Sequence, residues 1–473
     1  MKKTAKALYV ALFLFICCTP LVMVIFFPSD RLIGNEKKAS QPQLISSGGI
    51  NRDFSNEFDK WFTQSIPFRA ELINVRNTVL SGSFGKSANN VIVGKDSWLF
   101  TEECTDDYLG HTVSEREIHN IAATLRLVQK HCRMNGAKFV FAAAPDKCTI
   151  YPEYMPSGYI KGKTTNLDLL EKELEKQGVS YADLRGVMLD HKADGEELYL
   201  KTDTHWNNLA ALYAFNEIED KLSHKHKNYG GASFEVKNDW TGDIAKMLYP
   251  SSAPLCGQYY FDIGFSEYRF LKPRSSSMTN DEIMLNLMGD SESMDTEIMT
   301  RNNSAEGSAY IFRDSFCRSM LPFFVDNYKS TYITRSPELD LNNMSTRGYT
   351  SVIYEIVERK LSAVTDQRPD IYAPECDKVI GTVVPKNKGG LPKIEKTSDG
   401  MLVYGIIEDA LNDGDNIFIA VERDGKTRYF EAFPITECKK LSAEKSDKGY
   451  SALINISDLD NSEICVIVSE EIK

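Results

Sequence analysis

Phe139-Val140-Phe141-Ala142-Ala143-Ala144 decides the fold. A short unbroken apolar run of this kind predicts a strand buried on both faces of a parallel sheet. Upstream, Ser114 and Glu117 form a capping-box pattern. Ile118, Ile121, Ala122, Leu125, Val128 and Cys132 then recur at helical spacing, and Gly136 supplies a stop. Downstream, Leu167, Leu170 and Leu174 mark a second helix closed by Gly178, and residues 179–184 predict the next strand. Helix, strand, helix, strand with short links implies an α/β fold, a parallel sheet flanked by helices. A third helix is expected over 207–222. The rhythm resumes with strands at 309–312, 331–334 and 351–356 and a helix at 316–327. Residues 223–307, with a Met-rich acidic tract near 278–299, are expected to be an insertion or lid.

Outside this core the character changes. Lys2, Lys3 and Lys6 precede an uncharged apolar run over 7–27, long enough to cross a bilayer. Positive charge before it predicts a cytoplasmic N-terminus and a single-pass signal anchor over 1–27, with a cleaved signal peptide as the rival. Residues 28–50 are polar and suggest a stalk. The span 51–368 is the expected α/β domain, opening with an amphipathic helix around Phe58 and Trp61 that ends before Pro67. A hairpin is expected over 91–100, turning at Gly94-Lys95-Asp96. From 369 to 473 strand-like runs dominate (379–384, 402–407, 417–421, 428–433, 464–469). Asp424-Gly425 marks a hairpin turn between two of them. This part predicts a small β-sandwich. Tyr404, Phe418, Tyr429 and Phe430 are candidates for sugar stacking, with core packing the default.

A formal net charge of -12 argues against nucleic acid as the main partner. The ten cysteines include no close Cys-x-x-Cys pair, which disfavours a zinc ribbon.

The chemistry concentrates in two short stretches. In Asp203-Thr204-His205-Trp206 an extended backbone turns the acid and the imidazole the same way. In Arg313-Asp314-Ser315-Phe316 a hydroxyl follows a strand-like run and precedes a helix-like one, the setting of a strand-to-helix nucleophile turn. Ser315 as nucleophile, His205 as base and Asp203 as orienting acid suit acyl transfer from an ester or thioester. A helix starting after Ser315 would aim N–H groups at an oxyanion. Blander readings are available. Asp203 suits the cap of the helix near Asn207, and Asp314 with Ser315 suits the cap of their own helix. Trp206 suits packing, and Cys317 a small buried hydrophobe. A divalent ion on Asp203, His205 and one of His191, His224 or His226 matches no familiar zinc spacing, so no metal and no cofactor are expected.

Five motifs occur in a telling order: Phe58 to Arg69 (Phe-x-x-Trp…Ile-Pro-Phe-Arg), Gly94 to Phe100 (Gly-Lys-Asp-x-Trp-Leu-Phe), Ala144 to Pro152 (Ala-Pro-Asp-Lys…Tyr-Pro), Asp203 to Trp206, and Asp314 to Phe316. Across roughly residues 50–365 the chain resembles the alginate O-acetyltransferase type of SGNH-hydrolase-like protein (AlgX/AlgJ-like, related to the DHHW proteins). The resemblance implies an extracytoplasmic O-acetyltransferase that acetylates a polysaccharide through an acetyl-serine on Ser315, with His205 and Asp203 completing the triad. It implies a membrane-bound O-acyltransferase as acetyl supplier and a C-terminal module that binds carbohydrate. The alternatives are a carbohydrate esterase with the same triad and a non-catalytic glycan-binding scaffold. The family's Gly-Asp-Ser stands here as Arg313-Asp314-Ser315, and acid and base precede the serine. Lys147, Trp206 and Arg313 are the candidate substrate contacts, and Glu358-Arg359 is ambiguous between substrate and structure.

Overall fold

In the computed structural model, Val140, Ala142 and Ala144 pack into one apolar core while Phe139, Phe141 and Ala143 pack into another. The strand they form is therefore covered on both sides, as its composition requires. The structure describes residues 2–470 apart from 34–35, 37, 47–48, 85–89, 265–267, 273–296, 336–338, 342–347, 409–410, 437–445 and 457–461. The Met-rich tract falls almost wholly outside the described residues.

Seven strands form the main sheet: β1 (Lys138–Ala144), β2 (Tyr181–Ala182), β3 (Tyr268–Lys272), β4 (Glu297–Asn302), β5 (Glu306–Phe312), β6 (Tyr328–Thr334) and β7 (Ser351–Val357). Their order is β2-β1-β7-β5-β6-β4-β3. The first five are parallel; β4 and β3 add an antiparallel edge. Counted from β5, the parallel strands run 2-1-3-4-5, a doubly wound order that has been circularly permuted. This permutation is the physical form of the reversed motif order: the strand that carries the serine is first in the unpermuted numbering and third of the five parallel strands in the chain. The switch point of the sheet lies between β5 and β7, and open α/β sheets place ligands there.

Helices α1 (Lys2–Phe26), α2 (Phe54–Ser65), α3 (Arg69–Phe84), α4 (Glu115–Met134), α5 (Asn166–Gln177), α6 (Asn208–Lys221), α7 (Asp243–Leu248) and α8 (Leu321–Asn327) follow along the chain. α4 and α5 cover one face of the sheet, α6 and α8 the other. Ser114 caps α4 by accepting from Glu117 N–H, and Thr165 with Asp168 closes a full capping box on α5. Gly178 ends α5 in the left-handed conformation, φ 65°. The expected strand over 179–184 shortens to β2 because Asp183 caps the next helix through Gly186 N–H. The expected helix over 316–327 is split: Phe316–Met320 is a 3-10 helix and α8 takes over near Pro322.

Residues 223–307 are more than a lid. β3 and β4 extend the sheet, and a hairpin (Phe234–Thr241 with Leu255–Phe261) carries α7 at its turn. The segment expected as a stalk lies on the fold, since Ser29 N–H donates to Ser65 O and Arg69 grips Glu36 with two bonds of 2.8 and 2.7 Å. Val91–Val93 pairs with Leu99–Thr101 as the expected hairpin. The C-terminal part is a sandwich of five and four antiparallel strands around Val403, Ile417, Ile419, Tyr450 and Val466. Asp424 and Gly425 turn one hairpin with positive φ, 52° and 72°. Phe418 and Phe430 are buried in it, which leaves them for packing rather than sugar stacking. The sandwich is fastened to α4: Arg126 pairs with Glu431 and donates to Asn416 and Gln177.

Candidate active site

Ser315 leaves the C-terminal end of β5, and Asp203 and His205 arrive on the loop before α6. His205 Nδ1 lies 2.7 Å from Asp203 Oδ1, and His205 Nε2 lies 2.9 Å from Ser315 Oγ. Both are within the reach required for proton transfer. His205 and Ser315 sit 110 positions apart in the chain and meet at the C-terminal end of β5.

Asp203 is buried and fully partnered. Oδ1 also accepts from its own loop's His205 N–H at 3.0 Å; Oδ2 accepts from Trp240 Nε1–H at 2.9 Å and from Asp243 N–H at 3.1 Å. Burial alone would raise its pKa, but the hydrogen bond and charge of His205, with the Trp240 indole, outweigh burial and hold it well below the usual carboxylate range. Burial pulls the His205 imidazole down, and the hydrogen bond and charge of Asp203 more than reverse this, so its pKa is raised above 6.5. The cap of α6 is Asn207, which accepts from Ala210 N–H, so Asp203 is not spent on the helix.

Ser315 has αR geometry and makes no capping bond. Asp314 does the local work instead: Oδ1 accepts from Phe316 N–H and Oδ2 from Val357 N–H, both at 2.8 Å. The Phe316 N–H is thereby withdrawn from any oxyanion. The Ser315 N–H, which meets no acceptor among the described residues, is the donor that remains. Arg313, buried and adjoining the cleft, donates from Nη1 to Asp314 O at 3.0 Å.

A cleft of about 310 Å³ opens over His205 and Ser315, lined in part by Arg313, Arg318, Arg335 and Arg359 against Glu103 and Asp243. The Arg359 guanidinium lies 5.6 Å over the Phe316 ring and pairs with Asp146. Glu358 accepts from Asp146 N–H and from the Thr149 hydroxyl; burial, with the charge of Asp146, pushes its pKa up to about 8. The ambiguous Glu358-Arg359 pair thus divides, Glu358 tying strand ends together and Arg359 bordering the cleft.

Two expected substrate contacts have structural work. Lys147 is buried, and its ammonium donates to the carbonyls of Leu200, Lys201 and Asp203 at 3.0, 3.2 and 2.5 Å. It props the loop that carries the dyad and does not face the cleft, a correction to the expected substrate role. Burial, only partly opposed by Asp203, lowers its pKa to about 8. Trp206 is buried and holds the Phe316 carbonyl through Nε1–H at 3.0 Å, linking the His205 loop to the serine loop. Cys317 is buried and its thiol is pushed well up by burial, consistent with apolar packing.

Trp240 and Asp243 are the site residues that sequence reasoning missed, because both fall in the expected insertion. One available signal was Trp240, one of four tryptophans, followed by Gly242 and an acidic helix start. Gly242 is required by contact: a Cβ there would lie 2.0 Å from Thr202 O and 2.7 Å from Asp203 N. Asp243 accepts from Thr204 N–H and Oγ1–H and stands 3.8 Å from His205 Nδ1; burial, then the charge of Asp203, raises its pKa. Asp203, His205 and Asp243 are close enough to suggest a cation site. However, four N–H donors already fill the Asp203 oxygens. The other candidate histidine ligands are engaged elsewhere: His191 stacks on Tyr213, His224 bonds Glu219, and His226 bonds the His224 carbonyl.

Residues 91–251 match the family model described as SGNH hydrolase-like domain, acetyltransferase AlgX. Among curated proteins, the chain is 24% identical over 228 residues to the probable alginate O-acetylase AlgJ of Pseudomonas syringae pv. tomato, covering 48% of this chain and 54% of that protein. It is 27% identical over 180 residues to the protein of the same name from Pseudomonas aeruginosa, covering 37% and 44%. The chain thus spans about half the length of the curated relatives it matches. Among solved structures, Bacillus cereus PatB1 is 20% identical over 57% of this chain and 96% of its own, with a TM-score of 0.45.

Proposed function

We propose that the chain is a membrane-anchored, extracytoplasmic O-acetyltransferase that acetylates hydroxyls of a polysaccharide through an acetyl-serine on Ser315. The observation that carries the reading is the continuous relay from Asp203 through His205 to Ser315, at 2.7 and 2.9 Å. His205 Nε2 takes the proton as Ser315 Oγ attacks the acetyl carbonyl, and Asp203 stabilises the imidazolium. The Ser315 N–H faces the developing oxyanion. The C–O or C–S bond to the donor breaks, and His205 returns the proton to the leaving group. A sugar hydroxyl then attacks the acetyl-serine, giving its proton to His205, and Ser315 is regenerated. The matches to an acetyltransferase family model and to proteins named alginate O-acetylases support acetyl as the group and polysaccharide as the acceptor. The apolar helix over Thr4–Phe26 supports the anchor, and a membrane-bound O-acyltransferase is the acetyl supplier that fits it.

The test uses the full chain in detergent with a chromogenic acetyl ester, with and without a glycan acceptor. Wild type is expected to release the chromophore, trap an acetyl group on Ser315 and acetylate the glycan, while Ser315→Ala does none of these. Equal turnover by both proteins would remove Ser315 from the chemistry. Acetate release without glycan acetylation would make the protein an esterase.

A further inference from the structure

The chain has an apolar surface that the acyl-transfer reading leaves unused. One face of α3 is packed: Ala70 is buried, Leu80 joins the cluster of Ile244 and Leu248, and Asn77 Nδ2–H donates to Leu248 O at 2.7 Å. The other face is also apolar, and it is open. Phe68, Leu72, Val75 and Val79 are 66%, 61%, 64% and 52% exposed. Spacing of three and four places Leu72, Val75 and Val79 on one side of the helix, as a stripe about 10 Å long, and Phe68 stands just before the helix begins. On α2 the aromatic rings cluster: Phe58 lies 5.7 Å from Phe54, 5.8 Å from Trp61 and 5.9 Å from Phe62.

These two helices adjoin the end of α1. Only Phe27 and Pro28 separate Phe26 from Ser29, whose N–H donates to Ser65 O at the end of α2. Arg31 then pairs with Glu71 of α3 at 3.2 Å and donates to Pro250 O at 3.0 Å. Within α1, Val24 is buried while Leu8, Phe13, Ile16 and Ile25 are open. If α1 crosses a bilayer, three residues reach about 10 Å beyond its end. The α2–α3 elbow is then at headgroup depth. Phe and Trp on a polar-backed helix are the side chains that settle there. Phe68 sits at the elbow with φ 58°, a left-handed conformation that a bulky residue rarely adopts, and its ring is turned outward. A second copy of the chain fits less well, because a patch of four side chains is small against the roughly 1,200–2,000 Å² of a stable protein interface.

We propose that the α3 stripe, with the α2 aromatics, lies in the interfacial layer of the phospholipid bilayer that α1 spans, so that the catalytic cleft is held at a fixed height above it. The proposal rests on the anchor reading. The link to the site is direct: the packed face of α3 holds α7, and the first residue of α7, Asp243, donates its N–H to Asp203.

The experiment places the photoreactive residue p-benzoylphenylalanine at Leu72, at Phe15 and at Met134 in the full chain. Each protein is reconstituted in phosphatidylcholine–phosphatidylglycerol nanodiscs, irradiated and read by mass spectrometry. Met134 is 74% exposed at the far end of α4 and serves as the aqueous control. Phospholipid adducts at Leu72 and Phe15, several-fold above those at Met134, are the expected result. Adducts at Phe15 with none at Leu72 overturn the docking and leave the anchor standing. Crosslinks from Leu72 to a second copy of the chain overturn it in favour of a dimer. No lipid adduct at Phe15 overturns the anchor, and the docking with it.

Discussion

Trp240→Phe tests how much of the proposed catalytic dyad is built by the segment between α6 and β3. The substitution keeps an aromatic ring and deletes one of four donors to the Asp203 carboxylate, the indole N–H at 2.9 Å from Oδ2. Oδ2 keeps a single partner, the Asp243 N–H at 3.1 Å. A hydrogen bond to a charged group contributes about 1.5–3 kcal/mol. At 1.36 kcal/mol per pH unit, the loss moves the Asp203 titration up by about one to two units. Asp203 starts well below the usual carboxylate range, so it stays ionised at neutral pH in the variant. The His205–Ser315 bond is untouched. The expected outcome is a fall in kcat/KM of no more than about tenfold at pH 7, set against the roughly 10⁴-fold that replacing an orienting Asp by Asn costs a serine triad. The stability deficit should be full at neutral pH and shrink in acid. A depressed carboxylate contributes stability above its unfolded pKa and loses it as pH falls through the folded one. Raising the folded value makes that contribution smaller and completes its loss at a higher pH. Chromogenic ester turnover and thermal melts of both proteins across acid and neutral pH measure this. Identical melts at every pH, or a neutral-pH loss as deep as that of Asp203→Asn, would refute the assignment of Trp240 to the acid.

Three further outcomes are expected. Turnover requires neutral His205, whose pKa is raised, so the acid limb of kcat/KM should have its midpoint above 6.5 and move down in Asp203→Asn; a pH–rate profile reads both. Gly242→Ala drives a methyl group to 2.0 Å from Thr202 O, displaces the peptide that presents Asp203, and should cost more activity than Trp240→Phe in the same assay. Arg126→Leu strands the buried Glu431 carboxylate between α4 and the sandwich, a loss of about 3–5 kcal/mol that Arg126→Leu with Glu431→Leu should largely restore, read as thermal midpoints.

The parallel core was legible because its strands are covered on both faces and its helices carry caps: residues 139–144, Ser114, Gly136 and Gly178 fall where their chemistry requires. The proposed triad was legible as residue types in two motifs; the structure supplies what spacing cannot, the approach of His205 to Ser315 across 110 residues. Lys147 misled because a lysine after a strand looks like a ligand group, whereas burial beside three carbonyls makes it a prop. Trp240 and Asp243 were hidden because an irregular stretch has no period to read, and their purpose shows only when the hairpin folds back onto Asp203. The weak exposed strand Lys393–Lys396 and the fully buried Gly449–Ile454 escaped for a related reason, since neither alternates cleanly between core and solvent.

The permuted sheet also imposes an order on assembly. β7 lies between β1 and β5 and pairs with both, yet it is the last of the seven strands to be synthesised. Until it arrives, the half of the sheet near His205 and the half that carries Ser315 share no backbone ladder. A chain interrupted before Ser351 would contain base, acid and nucleophile and still lack the strand that sets them side by side.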